Sequence, residues 1–386
     1  MPAISPRIAS NLALASYDII GPITKGVKLD LKAETRQHFD FDLSKHVYKG
    51  TTGGFFWRQE TGFALIGQGK SLLHAQDHVI AFRGTNTLAD ALTDVTCHST
   101  NSDTGKAVHT GFQSCFASIR PGLFSYLTQD EIRRKQGIVH CVGHSLGGAL
   151  AALTADWIKA EFKKTVYLYT FGAPRVGKKD FANSTSARVD KMFRCVHGAD
   201  PVPKVPIWPF YHAPLNGHEY LLSRAQGMDH NAHSMAAGPG YIHTANHSEW
   251  ENLYQQTATT VTQRVVLNYQ NRIHSTYSAH WADKIAAALM TVMIDGGATA
   301  LIASLQASGT AIGTVYDVMA RTLVGIVKLA DKLKEQVKAV LGYMLVFAGR
   351  GANITIEFTE KFIRWVFSVT IGRLNKAARQ ALKQND

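Results

Sequence analysis

Cysteine is scarce: Cys97, Cys115, Cys141 and Cys195 are the chain's four, and no two of them form a Cys-x-x-Cys pair. That spacing excludes a zinc ribbon, a dithiol redox motif and a disulfide framework, so free buried thiols are expected. An unbroken apolar run of twenty residues is also missing, and no conventional transmembrane helix is expected. Zinc-finger spacing, aromatic ribonucleoprotein motifs and a basic heptad arm are absent too. No nucleic-acid partner is therefore expected, although 41 basic residues face 29 acidic ones, a net charge of +12. Such a surplus suits an anionic partner, and a lipid surface fits best. The first twenty residues hold one Arg, and Asn11 and Asp18 interrupt their apolar stretch. They do not read as a secretory signal, which points to the cytoplasm of the producing cell or to export by a signal-independent route.

With 386 residues and 45% apolar content, two structural units are expected. Residues 7 to 20 read as a short amphipathic helix. Residues 61–67 (TGFALIG), 77–84 (DHVIAFRG), 137–143 (GIVHCVG), 165–171 (TVYLYTF), 192–197 (MFRCVH) and 218–223 (HEYLLS) are apolar runs of strand length. The helical pattern LGGALAALTADWIKAEF lies among them. This alternation predicts an α/β fold with a mostly parallel sheet covered by helices. From about residue 282 strand signals fade, so residues 1–281 and 282–386 are expected to form an α/β domain and an all-helical, basic, membrane- or partner-interacting region. Met319, Leu323, Ile326, Ala330, Leu333, Val337, Val340 and Met344 repeat at helical spacing, as one face of a long helix. Residues 285–316 carry one charge, Asp295, and suggest a helical hairpin in which Gly309 and Gly313 allow close contact.

The strongest signal is Gly143-His144-Ser145-Leu146-Gly147-Gly148, set between an apolar strand and an amphipathic helix. This is the context of a nucleophile elbow, whose sharp strand-to-helix turn presents the Ser145 hydroxyl while small residues let strand and helix pass closely. A plain Gly-rich turn with a capping hydroxyl is the alternative. Esterase chemistry needs donors for an oxyanion. The Leu146 N–H is one candidate, and Thr85, which follows the strand ending in Ala81-Phe82-Arg83-Gly84, is the other.

Four segments together resemble the class 3 lipase family: AFRGTNTLADALTDV, VHTGF, GHSLGGALAAL, and TFGAPRVG with HGADPVPKVP. The resemblance covers about residues 10 to 280. It implies an α/β-hydrolase core, a lid over residues 86–95 with Leu88, Leu92 and Val95 on one face, and no cofactor. Ala91 departs from the Trp frequent in the family's lid. The resemblance also names Asp200 as the triad acid, on the turn before Pro201, ahead of Asp180, Asp190 and Asp229. For the base the candidates are many: His212, His218, His230, His233, His243, His247, His274 and His280. His274, in HSTYSAHW, most resembles the family's ending and is the first choice; His233 is the second, followed by His280 and His243. The spacing of His230 with His233 and of His243 with His247 also suits metal ligands, but the region offers no scaffold that would join the pairs, and no metal is expected. His109 and His144 read as helix-start or loop residues.

These readings imply a serine esterase acting on lipid, with a Ser145, Asp200 and histidine triad. Residues 321–386 hold twelve Lys or Arg against five Asp or Glu, together with Trp365 and Phe367. Basic amphipathic helices of this kind bind anionic membranes, which favours a phospholipase over a triacylglycerol lipase working at a lipid droplet. A protein whose tail perturbs membranes or binds a partner, with the core in support, is the rival from another class. The combination also resembles bacterial effectors injected by type VI secretion. That resemblance implies delivery to a target-cell membrane or periplasm and a cognate inhibitory (immunity) protein.

Overall fold

The computed structural model describes residues 2–19, 29–43, 47–52, 59–84, 92, 98–215, 217–254, 257–259, 264–307 and 309–383. Helix α1 (Pro6–Ala15) begins at Ser5, whose hydroxyl accepts the Ile8 N–H, with Pro6 where no N–H is needed. The strands are β1 (Phe39–Asp40), β2 (Val47–Thr52), β3 (Gln59–Gly69), β4 (His78–Phe82), β5 (Ser99–Asn101), β6 (Ala107–His109), β7 (Ile138–His144), β8 (Thr165–Phe171), β9 (Lys191–His197), β10 (His218–Ser223) and β11 (Thr257–Thr259). Between them run α2 (Thr110–Leu127), α3 (Leu146–Phe162) and α4 (Lys179–Arg188). Among the described residues the main sheet has the order β1-β3-β4-β7-β8-β9-β10-β11, with β2 on β3 and a separate β5-β6 hairpin. Its centre, from β4 to β10, is parallel. The antiparallel β1, β2, β3 and β11 finish its edges.

Both faces of the sheet are covered, which is why the central strands read as continuous apolar runs. Along β4, Ile80 and Phe82 enter the core beneath α2 and α3, while Val79 and Ala81 enter the core beneath α1. Along β7, Val139 and Cys141 face the first core and Ile138 and Val142 the second. The period of two splits each run between the two layers. Cys115, Cys141 and Cys195 are free and buried; Cys97 lies outside the described residues.

The C-terminal part holds α5 (Ala279–Asp295), α6 (Thr299–Ala307), α7 (Ile312–Ile326), α8 (Asp331–Phe347) and α9 (Glu360–Lys383). The single long helix expected across residues 319–344 is instead two, because Ala330 takes an extended conformation (φ −164°, ψ 148°). Both halves still bury the anticipated stripe, with Met319, Leu323 and Ile326 on α7 and Val337, Val340 and Met344 on α8. Gly309 and Gly313 do not share a helical face, since Gly309 precedes α7 and Gly313 lies in its first turn. A turn at Gly296 and Gly297 (φ +79°) separates α5 from α6. Residue 281, the expected boundary, lies inside the first turn of α5. Among the described residues no helix is long and apolar enough to cross a membrane.

Helix α9 belongs to both parts of the molecule. Ile363, Val366, Phe367 and Ile371 pack among the C-terminal helices, whereas Leu374, Ala378, Ala381 and Leu382 join the core that carries α2 and α3. Leu382→Ala should therefore lower stability by about 2–5 kcal/mol through a cavity in the α/β core. Urea unfolding measures this, and an unchanged midpoint would show that the last turn of α9 contributes nothing to that core.

Candidate active site

Ser145 joins β7 to α3 at φ 57° and ψ −131°, a conformation unusual for a residue with a side chain. Two glycines make the bend possible. A Cβ on Gly143 would stand 2.2 Å from the Gly147 carbonyl oxygen, and one on Gly147 would stand 2.2 Å from that of Phe82. The Ser145 N–H is tied to the Phe171 carbonyl on β8 (2.9 Å). This strand–elbow–helix unit on a parallel sheet is that of an α/β-hydrolase.

Two later loops bring an imidazole and a carboxylate to the serine. The Ser145 hydroxyl lies 2.8 Å from His233 Nε2, and His233 Nδ1 lies 2.8 Å from Asp200 Oδ2. Burial by itself would raise the Asp200 pKa, but the His233 charge and hydrogen bonds from His233, the Val202 N–H and the Tyr241 hydroxyl hold it below the ordinary carboxylate value. An ionised Asp200 accepts the Nδ1 proton, which leaves Nε2 bare to accept from the serine. Gly172, at φ +58°, clears the space beneath; a Cβ there would meet Asp200 Oδ2 at 2.8 Å and His233 Nδ1 at 3.0 Å.

His233 ends a short 3-10 turn, His230–His233, that is braced from several sides. The Asp229 side chain caps its start by accepting the Asn231 N–H, and the Asp229 N–H donates to Ala199, next to Asp200. His197 Nδ1 donates to the Ala232 carbonyl at 2.7 Å, and the His197 ring stacks on Tyr241. Helix α9 packs on this turn and on the turn Val202–Lys204 that follows Asp200.

His144 extends the network to the other side of the elbow. Its Nε2 is 2.9 Å from the His233 carbonyl oxygen, which can only accept, so Nε2 carries a proton. Burial and then the His233 charge push its pKa down to about 3, so the ring is neutral and Nδ1 accepts the Tyr17 hydroxyl proton at 2.7 Å. The Tyr17 oxygen in turn receives the Gly84 N–H at 3.3 Å. A line of hydrogen bonds thus links the end of β4 to the turn bearing His233, and His144 also stacks on His233 at 4.8 Å between centroids.

Ser145, Asp200 and the second-choice His233 therefore meet, and His274 does not join them. His274 lies at the exposed end of the 3-10 turn Tyr269–His274, and His233, fully buried, occupies the position between serine and acid. The segment from residue 264 onward packs instead with the C-terminal helices, where Leu267 joins their core and Tyr269 packs against it. His280 and His243 are exposed, and His212 donates to the Pro203 carbonyl. Among the competing carboxylates, Asp180 bonds its neighbour's N–H, Asp190 binds Lys159, and Asp229 caps a turn. Leu146 opens α3, where a backbone N–H has no partner within the helix. Thr85 lies outside the described residues, as does the expected lid apart from Leu92, which is buried in the core with α2. Among the described residues, the group with metal-ligand proximity is His74, Asp77 and His140, and not the pairs read from the sequence. His109 caps α2 by accepting the Gly111 N–H. Tyr17, Tyr241 and His197 gave no sequence signal, since each depends on contacts between distant segments.

Residues 79–210 match the family described as Lipase (class 3). The chain is similar to a secreted mono- and diacylglycerol lipase of Fusarium solani, 30% identical over 33% of this chain and 39% of that protein. It is also similar to the chloroplastic phospholipase A(1) DAD1 of Arabidopsis thaliana, 32% identical over 38% of each. The chain thus spans about two fifths of the length of these relatives. A mutant form of the lipase MDLA from Penicillium cyclopium has a solved structure that is 23% identical and covers 58% of this chain and 81% of its own, with a TM-score of 0.43.

Replacing His233 by Ala should cut the rate at which a fluorophosphonate labels Ser145 by about a thousandfold or more, while His274→Ala leaves it within about twofold. Mass-spectrometric mapping of the label checks both, and the reverse pattern would remove His233 from the reactive group. The histidines also set a pH dependence. His78 and His144 are held near pKa 3 by burial, against an ordinary 6.5. The unfolded chain takes up protons there that the folded chain refuses, so stability is complete above pH 6.5 and declines as pH falls toward 3. Two such groups give a slope of about 3 kcal/mol per pH unit. Urea midpoints between pH 7.5 and 5 should fall accordingly; a flat profile would mean that these rings protonate in the folded state.

Proposed function

We propose that this chain, whose residues 79–210 match the class 3 lipase family, is a serine hydrolase of lipid esters that acts on membrane glycerophospholipid. The observation that carries the reading is the continuous contact from Ser145 Oγ through His233 to Asp200, at 2.8 Å on each side. The serine oxygen attacks the ester carbonyl as its proton passes to His233 Nε2, and Asp200 stabilises the imidazolium that forms. The Leu146 N–H at the start of α3 meets the oxyanion, helped by the positive end of the helix. Collapse of the tetrahedral species breaks the ester bond, the proton moves from His233 to the leaving alcohol, and an acyl-serine remains. Water, deprotonated by His233, then releases the fatty acid.

Charge favours phospholipid over neutral lipid. The net charge of +12 attracts an anionic surface, and on α9 Lys361, Lys376, Arg379 and Lys383 are exposed opposite its buried stripe, with Trp365 at the surface. This arrangement supports docking of the helical part on a membrane from outside. Delivery to a foreign membrane, with an inhibitory partner in the producing cell, is compatible with that reading and forms part of the proposal.

Ser145→Ala should lower kcat/KM on mixed phospholipid and triacylglycerol vesicles by at least about 10⁴-fold. The unaltered chain should release fatty acid and lysophospholipid, identified by mass spectrometry. Activity retained in Ser145→Ala would overturn the catalytic reading; release of diacylglycerol alone would overturn the choice of phospholipid.

A further inference from the structure

A cavity of about 1170 Å³ opens between the loop that follows β9 and helices α5 and α6. Ser145, Leu146 and His233 do not line it, so it is separate from the catalytic group. Among the described residues, six cationic side chains line it, Arg175, Lys179, Arg194, Lys204, Arg224 and Arg264, against three carboxylates, Glu219, Asp283 and Asp295. The inner cations are well covered, with side-chain exposures of 17% for Arg175, 4% for Arg194 and 11% for Lys204. Asp283 is shared by Arg175 (3.2 Å) and Lys204 (2.7 Å), and Glu219 bonds Arg194. Among the described residues, three inner positive charges thus face two inner carboxylates. A surplus charge held away from water is costly unless an anion joins it.

The outer part of the cavity is of a different character. Along α5, Ala286, Ala287, Met290 and Ile294 form a stripe that continues beyond Asp283, and Ile302 on α6 and Trp208 add further apolar wall. Asp283 and Ile294 are eleven positions apart, about 16 Å along the helix, which is room for an acyl chain. Ile294 is 53% exposed at the far end, a large apolar side chain left open beside the cavity. An inorganic anion would leave this wall bare, and a neutral lipid would leave the inner charge uncompensated.

We infer that this cavity is a second, non-catalytic lipid site for a single-chain amphiphile with an oxyanion head. The head sits by Arg194 and Lys204, and the tail runs over Ala286, Met290 and Ile294. Fatty acid and lysophospholipid share this chemistry, and both are products of the reaction proposed above; naming them as the ligands rests on that reading, whereas the match of anion and tail to the cavity does not. Occupation would report the amount of product in the membrane on which the enzyme works.

Calorimetric titration of the full-length Ser145→Ala chain tests the site, using laurate, dodecyl phosphate, inorganic phosphate and dodecyl maltoside below their micelle concentrations. Laurate or dodecyl phosphate should bind at one site, and inorganic phosphate and the maltoside at least about tenfold more weakly. Tighter binding of laurate assigns the site to fatty acid, and tighter binding of dodecyl phosphate to the lysophospholipid head. Lys204→Met, which removes the surplus charge, and Ala286→Trp, which fills the tail path from an exposed helix position, should each weaken binding by about tenfold or more. Ala286→Trp keeps the test valid if Lys204→Met disturbs the nearby loop. Equal affinity for the maltoside, equal affinity for inorganic phosphate, or unchanged affinity in Ala286→Trp would each overturn the assignment. Turnover of vesicles by the unaltered chain is measured in parallel, so loss of the second site and failure of the catalytic reading give different results.

Discussion

Everything in the reactive centre depends on the backbone of one residue being held in an unfavourable conformation. Ser145 at φ 57° would relax if its neighbours allowed it, and three neighbours prevent this. Its N–H is taken by Phe171 on β8, and Gly143 and Gly147 bring β7 and α3 so close that no Cβ would fit between them. Strain of order 1–3 kcal/mol is thereby stored in a sheet whose two faces are both buried. A rigid parallel core is what allows the hydroxyl to be presented at one fixed point.

A fixed hydroxyl is of use only if the imidazole is equally constrained, and His233 sits on a short loop turn. The constraint comes from elsewhere in the chain. Tyr17, far away at the N-terminal end, reaches the His233 carbonyl through His144, while His197 holds the carbonyl of Ala232. Helix α9 closes the same turn from the C-terminal side. The segments carrying Tyr17 and α9 therefore converge on the turn bearing His233, and the helical part is a structural neighbour of that turn as well as a basic surface. Its final turns belong to the α/β core, so a membrane-facing role for α9 is restricted to the cationic side opposite that stripe.

The strands and the elbow could be read from local order. Apolar runs six to eight residues long announce a doubly covered sheet, and Gly-x-Ser-x-Gly between strand and helix announces its own conformation because only glycine tolerates the approach. Asp200 was named by the resemblance, and the proline after it suits the turn on which it stands. The break at Ala330 was not legible, since the apolar period continues through it and both halves bury the same stripe.

Which histidine serves as the base was open in the sequence, where eight followed Asp200 and the family's ending favoured His274. Tertiary structure places His233, and not His274, beside Ser145 and Asp200, because an imidazole's position follows from where its loop is anchored, and the anchors are side chains of residues 17, 144, 197 and 229. The same holds for the cationic cavity: its basic side chains come from segments spread over residues 175 to 264, each an ordinary surface lysine or arginine when read in line. Local sequence determined the nucleophile and the sheet because steric and periodic constraints act between near neighbours. Folding alone brought His233 to the serine and formed the cavity, because both depend on contacts between segments that only the packed chain brings together.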